Sequence, residues 1–304
     1  MTEQEINTRL EDISNQRNIK NIQNIVKAED KLFSLYNRES KRIANMVMTG
    51  DVSFEDLSDI TTNLNTVKTR IDEKATGIIT DAVNRSAKNS MSNVKAQINV
   101  FKNILPEEIV DAEIQPEVFN QVWFELVEIM EKSEDGIELS DRIWDINQTA
   151  MDQIRIYMME AMVEGVSFAE IYQQIKSFLL LPDVDMRTKK WREFFKEHPP
   201  GRGVYRSAFA NIMRVLRTET NRAFRLGIVE YAKNRDWIYG IKFELSAAHS
   251  IYDICDEYAT QDIDGLGPGI YRPETVPTNP HAHCLCHLRL IPRYDIFNIE
   301  GMGM

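Results

Sequence analysis

The segment PHAHCLCHL, residues 280 to 288, holds three of the five histidines and two of the three cysteines in a chain of 304 residues. Extending upstream adds His249 and Cys255, so all three cysteines and His249, His281, His283 and His287 fall between residues 249 and 287. Thiolate and imidazole are the ligands that zinc takes in tetrahedral structural sites. His281, Cys284 and Cys286 can supply three ligands from one tight turn, while Cys255, or alternatively His249, reaches in from the other side of a loop. The ion would fasten the intervening DEYATQDIDGLGPGIYRPETVPTNP, which is too polar and too rich in turn residues to order itself by burial. Asp253 and Asp256 flank Cys255 and can either orient a ligand histidine or cap a helical turn. Cys-x-Cys with one distant cysteine is less diagnostic than two Cys-x-x-Cys knuckles. A second reading therefore stands beside the first: the cysteines are small buried hydrophobes and the histidines cap the turn.

Familiar catalytic patterns are missing. There is no His-Glu-x-x-His of a zincin, nor the His-x-Glu and Pro-Cys-x-x-Cys of a zinc deaminase. GLGPG, residues 265 to 269, has no following Lys-Ser/Thr and reads as a turn, not a phosphate cradle. No serine or cysteine sits in a nucleophile elbow. Catalysis would have to come from a metal with an open coordination position.

Around the cluster, the sequence calls for a helix from about Tyr205 to Asn234, a strand over 237 to 245 in WIYGIKFEL, and a second strand in HLRLIP. Pairing of those strands would bring the two ligand arms to one end of a sheet. Before Pro106 there is no proline and little glycine, as long helices require. Leu57, Ile60, Leu64, Val67, Ile71, Ala75, Ile78 and Ala82 advance by threes and fours along one helix face. Ile22, Ile25, Val26, Leu32, Phe33 and Tyr36 do the same upstream. Ser53 and Asp56, after the Gly50-Asp51 break, have capping-box spacing. A helical hairpin or bundle follows from these patterns. The expected organisation is an elongated helical region over 1–105, an acidic helical region over 106–182, a linker over 183–205, a C-terminal module over 206–296 and a flexible tail over 297–304. The fold class is mainly α, ending in a small α+β module with a zinc-stapled loop.

A hydrophobic content of 43% with 27% charged residues excludes a globally disordered chain. No apolar leader or membrane-spanning stretch is evident, and three cysteines cannot all pair, so reduced thiols in a cytosol-like compartment are expected. The net charge of −11 is segregated: +1 over 1–105, −13 over 106–182, +7 over 183–242 and −6 beyond. The basic block can face nucleic acid or neutralise its acidic neighbours.

Four stretches, GRGVYRSA…LRTETNRAFRLG, ELSAAHSIYDICDEYA, GLGPGIY and PHAHCLCHLRLIP, together resemble the C-terminal domain of the phage minor head, or head morphogenesis, proteins related to the F protein of phage Mu. Arg217, Thr218 and Glu219 fall on the family's Arg-Thr-Glu helix, and His249, Asp253 and Cys255 on its His…Asp-x-Cys segment. His281, Cys284 and Cys286 fall on the closing His-Pro-x-Cys-x-Cys, with Ala282 in place of the proline and Leu285 in place of a basic residue. The match covers about residues 200 to 292, and the helical stretch before it extends the likeness to roughly 136. The resemblance implies a structural virion component, made in a bacterial cytoplasm, that associates with the portal oligomer and takes part in capsid assembly and DNA packaging or ejection. Major capsid or scaffolding protein and double-stranded DNA are the further partners it suggests, and no membrane. Glu219 and Arg222 have ion-pair spacing, while Arg214, Arg217 and Arg225 form a basic stripe for DNA or portal contact. Two other classes compete: a metal-dependent enzyme acting on nucleic acid with Asp253 or Asp256 as base, and a host regulatory coiled-coil protein with a zinc module.

Overall fold

A Thr-x-x-Glu start opens the first helix. Thr2 Oγ1 accepts from the Glu5 amide at 3.2 Å and Glu5 Oε2 from the Thr2 amide at 2.8 Å, a reciprocal capping box. Helix α1 (Glu3–Thr49) follows, then α2 (Leu57–Phe101). The computed structural model describes residues 2–49, 57–102, 105–131, 137–164, 168–180, 207–233 and 235–296. The capping box expected at Ser53 and Asp56, the linker over 183–205 and the tail over 297–304 lie outside them.

Ile60, Leu64, Val67, Ile71, Ala75 and Ala82 of α2 are all buried, as their spacing requires. One position differs: Ile79, not Ile78, turns inward. Two successive steps of four from Ile71 keep the seam in phase with about 3.6 residues per turn. The partners of the two long helices run in opposite directions. Asn89 Nδ2 donates to Arg17 O, Asn24 Nδ2 to Ala82 O and Arg70 Nη1 to Glu39 Oε2, each at 2.9 Å, so the pair is antiparallel.

The chain continues through α3 (Glu107–Glu113), α4 (Pro116–Glu131), α5 (Leu139–Glu164), α6 (Phe168–Leu179) and α7 (Ala208–Ala232). Then come β1 (Ile238–Glu244), α8 (Ile254–Thr260), β2 (Ile270–Tyr271) and β3 (His287–Pro292). The fold is thus mainly helical with a small C-terminal antiparallel sheet in the order β2-β1-β3. Helix α7 and strands β1 and β3 occupy the spans expected from sequence, α8 extends the helical turn that Asp253 and Asp256 suggested, and β2 was not anticipated. Gly265, Gly267 and Gly269 all have positive φ, so GLGPG is the turn that feeds β2.

The chain sorts into two compact units with interleaved segments. One contains Met1–Ile25, Ala82–Glu131 and Arg217–Met304, the other Val26–Asp81 and Lys132–Leu216. In the second unit, Glu39 is fully buried yet has three guanidinium neighbours, Arg38 at 3.2 Å, Arg42 at 2.8 Å and Arg70 at 2.9 Å. Burial opposes its ionisation, but the arginines outweigh it and hold its pKa below the usual carboxylate value. Tyr36 donates to Asn147 Oδ1 at 2.7 Å, and Asn147 Nδ2 to Asp72 Oδ1 at 2.7 Å, linking α1, α5 and α2 within that unit.

The first unit carries the sheet. Strand β3 pairs with β1 on one side only, so the polar groups of its other edge need partners. The long helices supply them: Ser14 Oγ of α1 donates to Leu288 O at 3.2 Å, and Leu290 N donates to Gln97 Oε1 of α2 at 3.0 Å. The N-terminal helices are therefore part of the sheet's packing. Glu113 adds a polar node, accepting from Tyr231 Oη at 2.7 Å, Arg235 Nε at 2.7 Å and Trp237 Nε1 at 3.3 Å.

Helix α7 crosses α2 at Gly227. A Cβ there would lie 2.4 Å from Ser90 Oγ and 2.8 Å from Ser90 Cβ. Overpacking of this kind costs about 1–3 kcal/mol. Gly227→Val is expected at the upper end of that range, read as a lowered urea midpoint at unchanged m-value.

Candidate metal centre

Two arms build the site, both from the unit that holds the sheet. The first leaves β1 after Glu244 and reaches α8, whose start is fixed by Asp253. Cys255 N donates to Asp253 Oδ1 and Asp253 N to Asp256 Oδ2, each at 2.8 Å. This capping box places Cys255 in the first turn of α8, fully buried. The second arm is a turn from His281 to Cys284, closed by Cys284 N donating to His281 O at 3.3 Å, with His283 in the left-handed region at φ 62°. It enters β3 at His287, and the sheet register pairs His287 with Glu244. Both arms are thereby brought to the same end of the sheet.

Cys255 Sγ lies 3.6 Å from Cys284 Sγ. A disulfide would need about 2.05 Å, whereas the edge of a tetrahedron with metal–sulfur arms of about 2.3 Å is roughly 3.8 Å. Cys255, His281 and Cys284 offer ligand atoms that all lie within 4.8 Å of one another. Cys286, 1% exposed, is the third sulfur near this group but falls outside the set whose ligand atoms are all within 4.8 Å of one another. On its other side, His249 Nδ1 is 3.9 Å from Cys286 Sγ. Three sulfurs and two imidazoles are one donor more than a tetrahedral site takes. His281 is the better fourth ligand: it groups with Cys255 and Cys284, and its buried Nε2 has no aligned hydrogen bond, although Asp253 Oδ2 is 3.2 Å away. His249 instead holds Asp256 through Nε2 at 2.9 Å. Asp253 and Asp256 thus do both things their positions suggested, capping α8 and standing beside the histidines.

The thiols do not titrate alike. Hydrogen bonds from Cys255 and Cys286, supported by Arg225 and His281, pull Cys284 well below the usual thiol range. The contact with Cys284 and burial drive Cys255 the other way, and Cys286 is pushed up to about 12. The Cys284 contact also raises the His281 pKa. A cation placed among the three sulfurs would favour their ionised forms in turn.

The remaining sequence candidates separate by position. Arg225 is not a surface contact for DNA or portal: it is fully buried, because the Cys-x-Cys turn packs over its face of α7. Its Nε donates to Thr278 O at 2.6 Å, and its Nη1 to Cys286 O at 3.0 Å and Cys284 Sγ at 3.4 Å. Arg214 and Arg217 are half-buried. Arg222 Nη1 lies 3.5 Å from Glu219 Oε2, both side chains nearly buried. His287 points away from the sulfurs, with Nε2 3.1 Å from Glu244 Oε2. Burial works against ionisation of Glu244, but His287 and Arg289 outweigh it and lower its pKa. Sequence reasoning missed two residues at the site, the thiol-facing role of Arg225 and the whole of Asn221, which donates to Cys284 O at 2.7 Å and Cys286 O at 3.1 Å. Their distance along the chain from the cysteines hid them, and a polar residue four before Arg225 on the same helix face was the available signal.

The fold and the cluster define a mainly helical protein with a small antiparallel sheet and a buried Cys/His group able to hold a metal ion. No protein-family model, curated protein or solved structure matches the chain. Among the described residues, no helix is long and apolar enough to cross a membrane.

Proposed function

We propose that this chain is a structural minor head protein of a tailed phage or prophage. It sits in the virion near the portal vertex, binds the portal oligomer, and takes part in capsid assembly and DNA packaging or ejection. A zinc ion held by Cys255, Cys284, Cys286 and His281 fastens its C-terminal module. One observation carries the reading: three of the four stretches that bear the resemblance meet in space. Cys255 of the His…Asp-x-Cys segment touches Cys284 of the closing motif at 3.6 Å, and Thr218 of the Arg-Thr-Glu stretch lies 3.5 Å from the His283 amide through its Oγ1. Residues that converge on one centre form a functional unit, and a likeness carried by them weighs more than one carried by scattered positions.

The donor chemistry supports zinc, since soft thiolates with one imidazole suit it better than hard oxygen-seeking cations. A structural ion is supported by the burial of the three thiols, at most 2% exposed, with Arg225 meeting Cys284, since a catalytic zinc keeps an open position. The His281 side, 32% exposed, is the open face of the site. The test is quantitative mass spectrometry with metal analysis on purified particles of the phage, or induced prophage, that encodes the chain. A few copies per particle, retained in portal-containing heads before DNA entry, are expected. Particles that assemble and package fully with the chain absent would overturn the proposal.

A further inference from the structure

The Cys284-Leu285-Cys286 turn is held from behind by helices distant in sequence. Asn221 of α7 is fully buried and spends both amide hydrogens on this turn, donating to Cys284 O at 2.7 Å and Cys286 O at 3.1 Å. Its Oδ1 accepts from Asn21 Nδ2 of α1 at 2.8 Å. The Ser86 hydroxyl of α2 sits between Asn21 Oδ1 and Thr220 O, 2.7 Å from the latter. Asn21, Ser86 and Thr220 are also fully buried. Leu285 O, the carbonyl between the two, accepts from Asn18 Nδ2 of α1 at 3.3 Å. The orientation of Asn221 is fixed by chemistry, because turning its amide over would set an oxygen against two carbonyl oxygens. Burying such a row of amides away from water is costly unless each finds a partner. Here the amide hydrogens of Asn221 and Asn18 find theirs on the backbone of the turn that carries two of the three sulfurs.

We infer that Asn221, anchored by Asn21 and Ser86, is a positioning residue for metal binding, so that the long N-terminal helices help set the affinity of a C-terminal metal centre. Groups that fix the orientation of ligands, without touching the ion, alter metal affinity by about 10- to 100-fold when removed. The coupling is reciprocal, so an ion bound at the cysteines tightens the α1–α2–α7 contact as much as that contact tightens the site. This inference rests on the metal reading above, and the experiment separates the two.

The probe is Co2+, titrated into the full chain and followed by the thiolate-to-cobalt charge-transfer band. Asn221→Ala is expected to weaken Co2+ binding about 10- to 100-fold and to change the band, and Asn21→Ala to weaken it by a smaller factor. Val122→Ala, a buried α4 position with no hydrogen bond to the turn, controls for lost stability. It should lower the melting temperature and leave Co2+ affinity unchanged. Wild-type affinity in Asn221→Ala, or an equal loss in Val122→Ala, would overturn the inference while leaving the metal centre standing. If Asn221→Ala does not fold, Asn21→Ala decides, and unchanged affinity there rejects the idea. A wild-type chain with no charge-transfer band would reject the metal reading itself, and this inference with it.

Discussion

Replacing Cys284 by serine is expected to remove the metal and lower the melting temperature in one step. Cys284 is the hub of the cluster: its sulfur is 3.6 Å from Cys255 and 3.4 Å from Arg225 Nη1, and it groups with His281. Serine at this position cannot serve as a soft ligand, and three remaining donors bind zinc far more weakly than four. A second cost arises independently of the ion. Arg225 is fully buried, and loss of the thiolate that faces it leaves a charge with carbonyl partners only. Breaking a buried charge pair from one side costs about 3–5 kcal/mol, which in a chain of this size corresponds to a fall on the order of 10 °C. Zinc content by mass spectrometry and melting by circular dichroism should fall together, and His281→Ala should follow the same course while His249→Ala keeps its zinc. A serine variant that retains one equivalent of zinc would refute the ligand assignment. One that loses zinc with melting unchanged would refute the structural role of the ion.

Much of the fold was legible because its determinants are local. A seam repeating every three or four residues specifies a helix without knowledge of its partner, and the buried run from Ile60 to Ala82 follows it except at Ile79. The aromatic and β-branched stretch at 238 to 244 specifies a strand in the same way. The cysteine cluster was visible because its residues are rare. What escaped were features that depend on distant segments. Strand β2 has two residues and exists through its pairing with β1. Arg225 looked like part of a basic stripe because periodicity cannot tell which turn will pack over a helix. The division into blocks by composition likewise gave no hint that Ser14, Asn18, Asn21 and Gln97 bind the backbone of residues 284 to 290, directly or through Asn221.

Arg225→Met is expected to weaken zinc binding and destabilise the zinc-bound protein, and the reason is a charge balance. Zinc with three thiolates and a neutral imidazole carries a net charge of about −1, which in a buried setting calls for a nearby cation. Arg225 is placed to supply it, since its guanidinium meets Cys284 Sγ, Cys286 O and Thr278 O with hydrogen bonds in a fixed planar fork. Methionine fills similar space but neutralises nothing and deprives Thr278 O of its guanidinium donor, a loss of about 1–3 kcal/mol, while Cys286 O keeps Asn221. Arg225→Lys restores the charge without the fork, so its zinc affinity should fall between the two. Competition with a chelator of known affinity measures this order, and melting without zinc measures the loss that is independent of the ion. Because Cys284 faces Arg225 before any ion binds, a stability gap between Arg225→Met and wild type should persist in the zinc-free chain. Unchanged zinc affinity in Arg225→Met would mean that Arg225 serves only the carbonyls, and that the sulfurs tolerate their charge unaided.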